Sequence, residues 1–363
     1  MDRFYLDHNA DAPILDVAWA AYERGTSFVG NPSSSHAFGV DAANALDEAA
    51  HALRQHLDAD GYDVVWTSGG TEADALVLQG TGLKDIWIGS AEHAAVTDNA
   101  VAPRLIPIGT DGVYRYQPPS GGRAGPSLVC LSLANSETGV IQPIESLVRV
   151  LRSEGPVWVH CDGVQAVGRM ELSVKQLDVD SFALAAHKFG GVPGIGALLL
   201  KKKRKLSPTL VGGGQQLGIR PGTLQVAGPM AMIAALEAWT DEKRSSLKQT
   251  RDVFEREALK ISGLSVVGGN GERIPNTSAL HVADCSGDAL LMALDIERIS
   301  VSTGSACSSG AIEPSKTLLA MGMTVEKARQ VIRVSFGWEH SVEVVEEIVR
   351  ALKVVVERAR LFR

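Results

Sequence analysis

Three loops of this chain set a reactive group where an apolar run ends. In Thr67-Ser68-Gly69-Gly70-Thr71-Glu72, two glycines separate a strand-like run from a helical one. Backbone N–H groups there can approach an anion, the helix N-terminus at Gly70 favours negative charge, and Thr71 adds a hydroxyl. Alone, such a pair of glycines is more often merely a turn. In Val159-His160-Cys161-Asp162-Gly163-Val164-Gln165, the run ends on Asp162, a carboxylate that is costly to bury without a cation. A helix N-cap is the competing reading. In Ala185-Ala186-His187-Lys188-Phe189-Gly190-Gly191, an amine sits just past a strand. Viewed singly, Lys188 reads as an exposed loop lysine.

Taken together, the three match one set of needs. An anion cradle suits a phosphate, a strand-end carboxylate suits a pyridinium nitrogen, and a strand-end amine suits an aldehyde, as pyridoxal phosphate requires. A fourth stretch, VSTGSACSSGA from Val301 to Ala311, holds a single cysteine, Cys307, among small residues. The thiol is either incidental to a turn, or the loop exists so that the thiol can move; Gly304 and Gly310 would give it backbone freedom.

These loops need a scaffold with parallel strand ends. From about Asp63 to Leu200, the runs DVVWTS, DIWIGS, RLIPIG, SLVCLSL, PVWVHC, SFALAA and IGALLL alternate with helical stretches such as 71–79 and 144–152. Continuous apolar runs fit strands covered on both faces. The rhythm predicts an α/β fold with a doubly wound, mostly parallel seven-stranded sheet and ligands beyond the carboxyl ends of its strands. After Thr223 a long helical stretch runs through Met230, Trp239 and Phe254 to about Leu259. A smaller α+β domain follows, with TSALHVA, DALLMALDIE, the cysteine loop, VIRVSFG and a helix from Val342 to about Leu361. The expected division is 16–245 for the large domain, with 1–15 and 246–363 forming the small one.

Length and composition narrow the class. At 363 residues, 45% apolar and 21% charged, the chain reads as a globular enzyme of more than one core. A net charge of −7 supplies no basic field for nucleic acid or anionic membrane. The cluster Lys201-Lys202-Lys203-Arg204-Lys205 reads as a solvated strand end. No run reaches the length of a membrane span, and MDRFYLDHNADAP is not a signal peptide. Four cysteines without a C-x-x-C pair fit reduced thiols, hence a cytoplasmic location, and no metal site is expected.

The chain resembles the cysteine desulfurases of the NifS/IscS type, within the class V aminotransferases. The motifs that carry the resemblance run almost end to end: YLDHNADAP, GNPSSSHAFG, WTSGGTEAD, AEHAAV, NSETGVIQPI, HCDGVQAVG, AAHKFGG, GGGQQLGIRPGT, STGSACSSG and VIRVSFG. It implies the aspartate aminotransferase-like fold (fold type I) and pyridoxal 5'-phosphate as cofactor. Lys188 would hold the cofactor and move the substrate's Cα proton, and Asp162 would keep the ring nitrogen protonated. Gln165 would bond the ring's phenolic oxygen, and His93 would stack on the ring and help with proton transfer. Gly70, Thr71 and His187 would bind the phosphate, completed by Thr223 from the other subunit of a homodimer. Arg333, Ser136 and Asn31 would bind the substrate, L-cysteine. Cys307 would accept its sulfur as a persulfide and pass it to a sulfur acceptor or an iron–sulfur scaffold protein.

Four positions depart from the family pattern. Ala185 replaces a serine that bonds the phosphate, and Ser136 replaces an asparagine near the substrate carboxylate. Asp11 brings an extra carboxylate to the expected entrance, and Val192-Pro193 stands where the family has proline and lysine. These departures keep two other readings open. One is a pyridoxal-phosphate lyase or aminotransferase with another amino-acid substrate; the other is a weakened subunit that acts only in a hetero-complex.

Overall fold

The computed structural model describes residues 3–120, 123, 125–303 and 313–361. Cys307, Gly304 and Gly310 lie outside the described residues. In chain order the strands are β1 (Phe4–Tyr5), β2 (Tyr62–Thr67), β3 (Asp85–Gly89), β4 (Arg104–Ile106), β5 (Ser127–Ser132) and β6 (Val157–Asp162). They continue with β7 (Ser181–Ala185), β8 (Gly196–Lys201), β9 (Leu264–Val266), β10 (Thr277–Val282), β11 (Ile299–Ser300) and β12 (Val331–Ser335).

A seven-stranded sheet in the order β2-β8-β7-β6-β5-β3-β4 forms the centre. Its pairings are parallel from β7 to β4, while β8 runs antiparallel to both β7 and β2. Every residue of β5 and β6 is buried, which explains their unbroken apolar runs. The helix Ile144–Ser153 covers the sheet with Ile144, Leu147, Val148 and Leu151, a spacing that keeps all four on one face. The carboxyl ends of β2, β3, β5, β6 and β7 therefore share one edge, and each opens into a loop of the site.

The long helical stretch expected after Thr223 is two helices, Ala227–Glu237 and Asp241–Ala258. Thr240 stops the first from continuing: its hydroxyl accepts the Lys243 N–H, a side-chain cap that starts a new helix. The expected domain boundary at 245 falls inside this second helix, whose inward residues from Leu247 onward join a separate core with Leu6, Leu290, Ile332, Phe336 and Leu352. The chain's first residues meet the same core, because β1 pairs in parallel with β11 and Asp7 bridges to Ser335. The terminal helix starts at Val345, after a 3-10 turn over Val342–Val344.

Candidate active site

Local chemistry at the sheet edge shapes a cavity of about 120 Å3. Gly70, Thr71, His93, Ser136, Asp162, Gln165, His187 and Lys188 all line it, so eight of the sequence-derived residues converge on one place. Each arrives at a strand end.

After β2, Thr67 Oγ1 donates to the Gly69 carbonyl (2.9 Å) and turns the chain into the helix Gly70–Gly80. A Cβ on Gly70 would lie 2.5 Å from Val164 Cγ2, so only glycine lets this helix start approach the turn after β6. Gly70 and Thr71 both line the cavity, at a helix start whose first N–H groups have no intrahelical acceptor. Ala185, at the end of β7, also lines the cavity and adds no donor.

After β6, Asp162 Oδ1 accepts the Val164 N–H (2.9 Å), capping a helical turn that does not grow into a helix. Burial, then the neighbouring Asp74 carboxylate, push the Asp162 carboxyl well above the usual range. Gln165 donates from Nε2 to the Asn9 carbonyl (3.0 Å), while its Oε1 accepts from Arg169. After β7 a 3-10 turn, Ala186–Phe189, ends at Gly190 with φ 90°. It sets Lys188 Nζ against the carbonyls of Asn9 (2.8 Å) and Ala10 (2.6 Å). Burial, with the Lys188 and Arg169 charges, pushes His187 down to about 4, so its imidazole is neutral at physiological pH. After β3, His93 caps the short helix Ala94–Thr97: Nδ1 accepts the Ala95 N–H (3.1 Å). The neutral ring therefore carries its proton on Nε2.

Arg333 comes from β12, in the smaller core. It donates to Asp7 Oδ1 (2.6 Å) and to the carbonyl of Ser136 (3.1 Å), so it meets the cavity through Ser136. Asp7 therefore already engages this guanidinium. Asn135 cannot stand in for the asparagine the family has at 136, because its Oδ1 accepts from Glu137 and Thr138 and its Nδ2 donates to Ala91. Asp11 is at the exposed rim, and burial raises its carboxyl although Lys188 acts to lower it.

Two expected residues lie outside this cavity. Asn31 is exposed and folded onto its own turn, accepting the Ser33 N–H (2.9 Å). Thr223 is exposed too, in a segment tied to the edge of β2 by Gln216, which brackets the Trp66 backbone, and by the Arg220–Glu72 pair (2.9 Å).

Sequence reasoning missed four buried polar residues around the site. Asp74 and Glu92 are held by burial to about 8, and each has one carboxyl oxygen without a partner among the described residues. His160 contacts Asp74 (2.9 Å) and Ser181 (2.9 Å) and is pushed down to about 4 by burial. Arg169 donates to the carbonyls of His8 (2.8 Å) and Lys188 (2.9 Å) as well as to Gln165. A signal existed for two of them: His160 precedes Asp162 by two on a strand, and Asp74 follows Gly70 and Thr71 at helical spacing, so each shares their face.

The residues fit pyridoxal phosphate. The helix start at Gly70 and Thr71 lines the cavity, and Asp162 is a buried carboxyl that a cationic ring nitrogen would stabilise in its charged form. An amine and an amide face the same space.

Comparison with known proteins agrees with this geometry. A family model described as Aminotransferase class-V matches residues 4–348. The cysteine desulfurase IscS of Dictyoglomus turgidum is 33% identical, covering 98% of this chain and 95% of that protein. The IscS-like cysteine desulfurase of Mycobacterium tuberculosis is also 33% identical, covering 98% of this chain and 97% of that protein. Among solved structures, a NifS-like protein from Rickettsia africae superposes with a TM-score of 0.87 at 26% identity, over 98% of this chain and 99% of that one. The chain belongs to the class-V aminotransferase family, in its NifS/IscS branch.

Proposed function

We propose that this chain is a pyridoxal-phosphate-dependent L-cysteine desulfurase that leaves the substrate's sulfur on Cys307 and releases L-alanine. The observation that carries the reading is the convergence of Lys188, Asp162 and Gln165 on one cavity that the helix start at Gly70 and Thr71 also lines.

When bound, pyridoxal phosphate supplies an electron sink conjugated to the substrate's Cα. The protein's residues do the rest. Thr71, neutral His187 and the N–H groups at Gly70 hold the phosphate. Asp162 keeps a proton on the ring nitrogen, and the Gln165 amide donates to the ring oxygen. Lys188 Nζ would hold the cofactor through its aldehyde and, once displaced from it by the substrate's amine, would take the Cα proton. Arg333, released from Asp7, binds the carboxylate, with Ser136 beside it. The Cys307 thiolate attacks the substrate sulfur: an S–S bond forms as the Cβ–S bond breaks, the bonding pair stays on carbon, and a proton completes alanine. The other cysteines are poor candidates. Cys130, Cys161 and Cys285 are buried, and burial pushes the thiols of the first two well up.

A homodimer with Thr223 reaching the partner's phosphate, an iron–sulfur scaffold or thiolation enzyme as acceptor, and a cytoplasmic setting complete the proposal. Val29, Phe38, Val211 and Leu217 are each at least 66% exposed in the single chain, an apolar load that suits a subunit interface. The reading with another amino-acid substrate is favoured by one observation, the engagement of Arg333 by Asp7 beside the shortened Ser136.

The test is to load the purified chain with pyridoxal phosphate, add L-cysteine, and measure alanine, transferable sulfur and the mass of the Cys307 peptide. Equal yields of alanine and sulfur, with one added sulfur on that peptide, are expected. Turnover of another amino acid instead, or equal sulfur transfer by Cys307→Ala, overturns the proposal.

A further inference from the structure

Arg169 is a buried guanidinium, 2% exposed, and among the described residues it has no carboxylate partner. Leaving a cation in such a place is costly unless its donors are used. They are used on neutral acceptors: the carbonyls of His8 and Lys188, and both the carbonyl and Oε1 of Gln165. Burial and the nearby Arg333 lower it only to about 9, so it stays charged at neutral pH.

Three of these anchors belong to the site itself. Arg169 grips the turn that carries Lys188, the segment whose Asn9 carbonyl accepts from both Lys188 and Gln165, and the oxygen end of the Gln165 amide. An amide can point either end into a cavity, and here the choice is made. A guanidinium can only donate, so Oε1 faces Arg169 and the NH2 group is turned the other way. One of its hydrogens goes to Asn9; the other is free to face the cavity that Gln165 lines.

We infer that Arg169 is a positioning residue that fixes the Gln165 amide with its NH2 toward the cavity, presenting a donor to the ring oxygen of bound pyridoxal phosphate. The inference rests on the proposed cofactor reading. A fixed donor, backed by a charge, favours the ring oxygen's anionic form, and with it the longer-wavelength absorption of the cofactor. Lysine cannot replace this arginine, because one ammonium with three donors cannot span the four acceptors that the planar fork reaches together.

Two arms test it on the full chain. In the first, pyridoxal phosphate is added to wild type, Arg169→Lys, Gln165→Ala and the double variant, and long- to short-wavelength absorption is compared at neutral pH. Each single change is expected to lower the ratio by about threefold or more, and the double variant to match Gln165→Ala alone, because Arg169 acts through that amide. An unchanged ratio in Arg169→Lys, or a double variant whose loss is the product of both singles, overturns the inference. The second arm needs no cofactor and covers the case in which Arg169→Lys fails to fold. Gln165→Leu keeps the side chain's bulk but removes the acceptor beside Arg169, so the cofactor-free chain should melt about 2 °C or more lower, and with no donor left the ratio should fall. An unchanged or higher melting temperature in Gln165→Leu overturns the clamp. If wild type shows no protein-bound cofactor band at all, the function reading fails, whatever the melting arm gives.

Discussion

Asp74, Glu92 and Asp162 place three carboxyl groups in or beside one cavity, and burial holds each above its ordinary range. The folded chain therefore binds protons that the unfolded chain has already released. Stability from these groups is largest at low pH and is lost as pH rises toward about 8, the value for Asp74 and Glu92. His160 and His187, each near 4, act in the opposite sense, but only below about 6.5, where unfolded histidine takes up its proton. Between about pH 6.5 and 8 the carboxyls set most of the slope, before the unfolded chain's cysteines ionise. The melting temperature of the cofactor-free chain should fall by several degrees across that range, and Asp74→Asn should flatten the slope. A flat or rising profile in the unsubstituted chain would show that these groups ionise freely in the fold. Asp162→Asn addresses the chemistry: it should keep the fold and still take up cofactor through Lys188, yet lower kcat by about 100-fold or more, since it cannot hold a proton on the ring nitrogen. Stopped turnover with L-cysteine measures this, and a near-normal kcat would remove Asp162 from its role.

At the scale of elements, the end of β6 is held against β7 by a missing side chain. A Cβ on Gly163 would lie 1.8 Å from Cζ of Phe182, a fully buried ring on the second residue of β7. Gly163→Ala should cost at least about 1–3 kcal/mol by overpacking and should also weaken cofactor retention, since the strain falls between Asp162 and Gln165. Thermal melts and bound-cofactor absorbance check both effects. Phe182→Leu in the same chain should recover part of each, and a double variant no better than Gly163→Ala would place the strain elsewhere. The sequence showed such strand ends because an apolar run that stops at Asp162, or just before Lys188 and its glycines, is visible without a structure. The direction of β8 was less open, since an apolar run has no polarity. Its signal lay in residues 186–195, a connection too short for a parallel crossover. Arg169 and Glu92 were hidden for another reason. Charged residues on a turn or helix look like surface until the fold buries them, and only burial turns an ordinary arginine into a group that must be explained.

For the whole molecule, the question is whether one chain can finish its own site. Lys188 lines the cavity, while Thr223 is exposed and outside it, although its segment is tied to the edge of the β2 strand that leads into the phosphate cradle. If Thr223 serves the partner, damage to Lys188 and damage to Thr223 should complement each other. Lys188→Ala removes the amine, and Thr223→Asp sets a negative charge against the phosphate, so each homodimer alone should be inactive. In a mixed dimer, both lesions fall on one site when Thr223 acts across the interface, and the second site pairs an intact Lys188 with the partner's intact Thr223. Random pairing makes about half of the dimers mixed, each with one working site of two, so coexpression should recover about a quarter of the unsubstituted activity. Were Thr223 to serve its own chain, every site in the mixture would carry one lesion and activity would stay at the level of the separate variants. Alanine release by the coexpressed pair, compared with the two variants purified apart and then mixed cold, decides between the arrangements.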